Sequence, residues 1–143
     1  MEIIPHHIGI CVTDLERSLR FWVDGMGFET TMVPPVGSEW ADALEIGGEV
    51  EFSAHFVKKD GFEFELLHYA KPGAHGSPSA QRNQLGFTHF AVNVDDLDAA
   101  IEHLEAHGGT VLTATRSKIG PVELVFVADP DGVRVELMQL SQA

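Results

Sequence analysis

At 143 residues with 44% apolar side chains, the chain has the size of one domain and enough apolar content for a packed core. A formal charge of −13 sets its surface against phosphate backbones and anionic lipids, which argues against nucleic acid and membrane partners and leaves a small molecule. Cys11 is the only cysteine, so no disulfide framework or thiolate zinc site can form within the chain; with no leader-like segment and no apolar run near the ~18 residues of a spanning helix, a soluble cytoplasmic protein is expected.

In chain order, alternation predicts a strand near 6–13, then a helix near 15–25 capped by Asp14, whose carboxylate can accept a first-turn N–H. Strands near 28–33, 49–57 and 62–69 follow, with turns at Gly47-Gly48 and at Lys58 to Gly61. Pro34 to Asp42 is irregular and is a candidate substrate loop. The stretch KPGAHGSPSAQRNQ, residues 71–84, has linker composition. Beyond it the plan returns: a strand near 87–94, a helix near 97–107 capped by Asp96, and strands near 110–114, 122–128 and 133–140. Asp129-Pro130-Asp131-Gly132 makes the last hairpin turn.

The return is a repeat. HHIGICVTDLERSLRFW at 6–22 aligns with THFAVNVDDLDAAIEHL at 88–104 on an offset of 82, matching His7 with His89, Asp14 with Asp96, Trp22 with Leu104 and Gly27 with Gly109. FEFELL at 62–67 aligns with VRVELM at 133–138 and matches Glu65 with Glu136 on an offset of 71. The shorter offset makes the first copy the longer between its His and its Glu, as an extra loop requires. The chain therefore divides into a module over 1–70, a linker over 71–84 and a module over 85–143, sharing one domain.

Strand alternation assigns faces. His7, Gly9 and Cys11 oppose Ile8, Ile10 and Val12; Glu63 and Glu65 oppose Phe62, Phe64 and Leu66; Arg134 and Glu136 oppose Val133, Val135 and Leu137. On the same reasoning Val50, Phe52, Ala54 and Phe56 fall on the apolar face, and Glu49, Glu51, Ser53 and His55 on the polar one. A lone mid-strand His or Glu is ordinary solvent-facing polarity. The same residue types at the same stations in both copies are not explained by solvation. Imidazole and carboxylate together suit Zn, Ni, Co, Mn or Fe, and the lack of thiolates argues against a purely structural zinc site. The expected ligands are His7, Glu65, His89 and Glu136. His6 and His68 have the opposite parity and are not expected to be ligands, while Trp22, Phe21, Leu19 and Leu15 read as helix-to-sheet core.

These motifs, with VEFSAHFV and LVFVADPDGVRVEL, resemble the vicinal oxygen chelate superfamily, which includes glyoxalase I, methylmalonyl-CoA epimerase, extradiol dioxygenases and bleomycin-binding proteins. The resemblance covers nearly the whole chain apart from the Pro34 loop and the linker. It implies an α+β fold of two tandem βαβββ modules whose curled mixed sheets enclose a cavity. It also implies one divalent metal ion held by His7, Glu65, His89 and Glu136, and a homodimer is expected. The residues leave open whether the cavity closes within one chain or by exchange of modules between two.

The reaction the resemblance implies is that of a metal-dependent lyase or isomerase of glyoxalase or epimerase type, acting on vicinal oxygens through an enediolate. Glu136 or Glu65 could leave the metal to serve as base, and His55 and Glu51 are the unliganded candidates. Arg134 could hold a substrate carboxylate or neutralise Glu63 or Glu123. Alternatives are a metal-independent binding protein of bleomycin-resistance type and an Fe(II) extradiol dioxygenase, for which Glu65 would be an unexpected extra carboxylate. The arginine that grips glutathione in glyoxalase I, four residues beyond the first ligand, is Cys11 here, so dependence on glutathione in that manner is not expected.

Overall fold

The computed structural model describes residues 1–140 and divides into two compact units, Met1–His75 and Gly76–Ala143. Unit 1 holds β1 (Ile8–Val12), α1 (Leu15–Leu19), a π-helical turn (Arg20–Gly25), β2 (Glu29–Met32), β3 (Glu51–Lys59) and β4 (Phe62–Lys71). Unit 2 holds β5 (Phe90–Asn93), α2 (Leu97–Ala106), β6 (Thr110–Ile119), β7 (Val122–Ala128) and β8 (Arg134–Leu140). Each is a βαβββ module with a four-stranded mixed sheet, ordered β1-β4-β3-β2 in one and β5-β8-β7-β6 in the other, the first strand parallel to the last. No helix among the described residues is long and apolar enough to cross a membrane.

Both helices start where their caps require: the Asp14 carboxylate accepts from Arg17 N at 3.0 Å, and that of Asp96 from Ala99 N at 3.0 Å. They end differently. Residues 15–25 are not one regular helix, because after Leu19 the winding widens and Met26 N donates to Phe21 O at 2.8 Å. The cause lies in the side chains. Adjacent Phe21 and Trp22 are both fully buried, whereas α2 has exposed His103 beside buried Leu104 at the same places. The wider turn carries one more residue, so the glycine at positive φ that ends the helical stretch is Gly27 (φ 77°) in unit 1 and Gly108 (φ 94°) in unit 2. The structural partner of Gly27 is thus Gly108, not Gly109.

In unit 1, Trp22 and Phe28 pack on Phe64 with ring centroids 5.1 and 5.4 Å apart, on the face that also buries Ile10, Val12, Val57 and Leu66. Leu97 and Leu104 of α2, with Val125, Val127, Val135 and Leu137, form the corresponding core of unit 2. The strand predicted near 110–114 extends to Ile119, because its ladder with β7 resumes at Ser117 after an irregular stretch bridged by Thr115 Oγ1, which accepts from Phe126 N at 2.9 Å. The extra length of unit 1 lies between β2 and β3, where Trp40 ends a short 3₁₀ turn, Ser38–Trp40, and is 49% exposed.

Candidate functional site

Gly9 of β1 stands in register with Glu65 of β4, and residues directly across a ladder share a face. His7 lies two residues ahead of Gly9, just outside the ladder, and its imidazole swings to that face, with Nε2 3.1 Å from Glu65 Oε2. Phe56 of β3 is the other cross-strand neighbour of Glu65, and its ring meets the His7 ring edge to face at 5.0 Å. Glycine at position 9 leaves the carboxylate uncovered: a Cβ there would lie 4.0 Å from Glu65 Oε2 and 3.5 Å from Leu67.

Unit 2 repeats the arrangement. Ala91 and Phe126 flank Glu136 in register, His89 Nε2 lies 3.3 Å from Glu136 Oε2, and the His89 and Phe126 rings meet at 5.5 Å. Thr88 Oγ1, 2.7 Å from His89 Nδ1, holds the second ring nitrogen and leaves Nε2 turned to the carboxylate. The histidine side chains are each 33% exposed and the glutamates 20% and 17%, so each pair is open to a small ligand while bulk water is partly excluded.

Donor type and spacing both fit a divalent ion. Two ligand atoms each ~2.1 Å from an ion lie roughly 3.0–3.4 Å apart in octahedral or tetrahedral coordination. The His–Glu separations of 3.1 and 3.3 Å fall in that range. Each pair offers two donors within its own unit, and among the described residues no group of three or more His, Cys, Asp or Glu is placed to hold an ion.

Two expected bases are not brought to these pairs. His55 stands across from Leu66, which places it on the helix-packed face, away from Glu65. Cross-strand register overrides the apolar-polar rule here, because Phe52, Ala54 and Phe56 are themselves the residues that share the face of Glu65. His55 Nδ1 is buried without a hydrogen-bond partner, and burial holds its pKa below the ordinary histidine value. Glu51 pairs with Lys71, six residues along β4 from Glu65 and thus about 20 Å away, and its carboxylate lies 3.6 Å from the Lys71 ammonium. Glu65 and Glu136 remain as the carboxylates at the pairs.

His68 stands across from Val12 on the opposite face, in accord with its parity. His6 does not keep away: its Nδ1 is 2.7 Å from His7 Nδ1 and 3.8 Å from Glu63 Oε1, because β1 begins only at Ile8 and alternation does not constrain it. Glu123 is taken by Arg116 at 2.8 Å rather than by Arg134. Alternation alone puts Phe56 on the apolar face, whereas in the structure Phe56 stands across from Glu65 and Phe126 across from Glu136. Tyr69, stacked on Phe52 at 5.4 Å, has its phenol pKa raised by burial and then by the nearby Cys11 and Glu65, which keeps it protonated as a donor on the unit 1 face. An open concavity of about 460 Å³ at the β2–β3 edge, lined by Glu29, Lys58 and Lys59 among others, contains none of the His–Glu residues.

The pattern of the Glyoxalase/Bleomycin resistance protein/Dioxygenase superfamily matches residues 4–137. The chain belongs to that superfamily. It is 33% identical to the uncharacterized protein YaeR of Escherichia coli over 94% of each chain. A probable lactoylglutathione lyase of Vibrio cholerae is 29% identical over 96% of this chain and 91% of its own length. The 2-epi-5-epi-valiolone epimerase of an Actinomyces species is 29% identical over 96% of this chain and 80% of its own. In fold, the chain is similar to the crystal structure of a glyoxalase family protein from Bacillus cereus, with a TM-score of 0.82 at 18% identity over 99% of this chain and 97% of the other.

Proposed function

We propose that this superfamily member is a metal-dependent lyase or isomerase of glyoxalase or epimerase type, in which His7, Glu65, His89 and Glu136 together hold one divalent ion. The observation that carries the reading is the duplicated His–Glu pair at ligand-to-ligand spacing, 3.1 Å in one unit and 3.3 Å in the other, each buttressed by a phenylalanine. Relatives named as a lactoylglutathione lyase and an epimerase support the reaction class. A bound divalent ion would supply polarisation of two adjacent substrate oxygens and stabilisation of the negative charge that develops when a neighbouring C–H is deprotonated.

The chain's own groups do the rest. Glu65 and Glu136 each turn Oε2 toward a histidine, and their second carboxylate oxygens are the proton acceptors at the pairs. A carboxylate that takes the proton and returns it to the neighbouring carbon completes an isomerisation; delivery of a proton to the opposite face of the same carbon by the other glutamate completes an epimerisation. Phe56 and Phe126 exclude water beside the carboxylates, and the Tyr69 hydroxyl is a donor for a substrate oxygen on the unit 1 face.

The test is proton exchange. Incubated in D₂O with 2-oxoaldehyde–thiol adducts and α-branched acyl thioesters, the metal-loaded protein is expected to exchange or transfer the substrate α-proton. Chelation stops the exchange and a divalent ion restores it. Tight binding of a large, partly aromatic ligand with no exchange, unchanged by chelation, would instead identify a sequestering protein.

A further inference from the structure

Basic side chains in this chain have acids to choose from, nine Lys and Arg against 22 Asp and Glu. Arg116 engages two of them, Asp98 at 2.7 Å and Glu123 at 2.8 Å. Arg82 and Arg134 form no ion pair among the described residues. Both are fastened to main-chain carbonyls instead. Arg82 donates through Nη1 to Thr88 O and through Nη2 to Ser79 O, and Arg134 Nη1 donates to Gly132 O at 2.7 Å.

Those anchors bring the two guanidinium groups near each other. A Cβ built on Gly132 would lie 3.7 Å from Arg134 Nη1 and 3.9 Å from Pro78, the residue before the Ser79 carbonyl that Arg82 holds. The Arg82 pKa is lowered by burial and then by the charge of Arg134. Neutral carbonyls orient these cations without cancelling their charge.

The location is specific. The Arg82 guanidinium lies 5.7 Å from the centroid of Phe126, the ring that meets His89. Arg134 is two residues before Glu136 on β8 and so shares its face. Unit 1 has no such feature, since the position equivalent to Arg134 is Glu63, beside His6 at 3.8 Å.

The geometry points to Arg82 and Arg134 as a subsite for a terminal oxyanion group, carboxylate or phosphate, on the small molecule whose reacting carbon lies at His89 and Glu136. The subsite rests on the functional reading above for what that molecule undergoes, but not for its affinity toward an anion. Of the five N–H donors on a guanidinium, Arg82 uses two on carbonyls and Arg134 one, which leaves both able to take an oxyanion through paired hydrogen bonds. The anionic end of the substrate is thereby assigned to unit 2.

The metal-free 143-residue chain, titrated with malonate or with inorganic phosphate at constant ionic strength set by chloride, tests this through thermal denaturation. Wild type is expected to show a saturable rise in Tm, and Arg134→Gln to bind the same probe about tenfold to a hundredfold more weakly. Arg134→Lys, which keeps the charge and loses the fork, should fall between them and covers the case of a misfolded glutamine variant. Preference for malonate identifies a carboxylate terminus, and preference for phosphate a phosphate ester. No saturable response in wild type, or an equal response in wild type and both variants, overturns the subsite. Because no metal is present, that failure leaves the metal reading standing, and a failure of metal binding leaves this result standing.

Discussion

Phe56 and Phe126 hold the same station in the two units, each the direct cross-strand neighbour of a glutamate and each meeting a histidine ring edge to face, at 5.0 and 5.5 Å. A ring wedged there fixes the angle at which imidazole and carboxylate face each other. Replacing such a supporting residue commonly lowers metal affinity about tenfold or more. Phe126→Leu and Phe56→Leu are expected to do so in competition titrations against a chelator, while the urea midpoint shows a stability loss of about 1 kcal/mol. Affinity unchanged at that stability loss would make the rings simple packing.

His55 makes stability depend on pH. Its folded-state pKa is depressed by burial, so the unfolded chain binds the proton more readily. The neutral form's contribution is complete above the unfolded value of 6.5 and is lost as pH falls through the folded value. His55→Val, which installs the residue of the matching buried position Val125, should flatten the fall in Tm between pH 7.5 and pH 5.5. An identical fall in wild type and variant would place the acid sensitivity elsewhere.

That residue also shows where sequence reading stops. The repeat, both Asp caps, the chain order of strands and helix in each module and the matched His and Glu positions follow from period and spacing alone. The face of β3 does not, because the side of the unit 1 sheet that carries Glu65 is lined by Phe52, Ala54 and Phe56, as apolar as the side that packs on the helix. Hydropathy cannot separate two apolar faces, and only pairing with β4 does. The π-helical turn is marked in sequence by a single-residue change of offset, Gly27 with Gly108, that neighbouring Gly109 conceals. Arg82 lies in a segment without periodicity, and its place over Phe126 depends on how that segment folds back.

Asp129 carries the β7–β8 turn. Only 3% exposed, it accepts through Oδ1 from Asp131 N at 2.9 Å and from Val133 N at 2.8 Å. Asp129→Ala removes the acceptor of both hydrogen bonds and should cost about 1–3 kcal/mol in urea unfolding, with Asp129→Asn costing less because an acceptor remains. Equal losses for the two variants would assign the cost to something other than those hydrogen bonds.

Cys11 shares the face of Glu65 by its register with Leu67, and it is exposed there. A thiol cannot replace the bidentate grip of an arginine on a carboxylate. Turnover of the methylglyoxal–glutathione hemithioacetal by metal-loaded protein is therefore expected at kcat/KM below roughly 10⁶ M⁻¹s⁻¹, and a higher value would make glutathione a genuine co-substrate.

In the proposed function the two His–Glu pairs serve one ion. Cobalt titration of tag-free protein, followed by visible absorbance and metal analysis, measures this directly; a His103→Ala background removes the exposed helical pair His103 and His107, whose rings lie 4.4 Å apart. One ion per chain is predicted, abolished alike by His7→Ala and by His89→Ala and retained by His68→Ala. Full binding in His89→Ala, or two independent ions per chain, would contradict it.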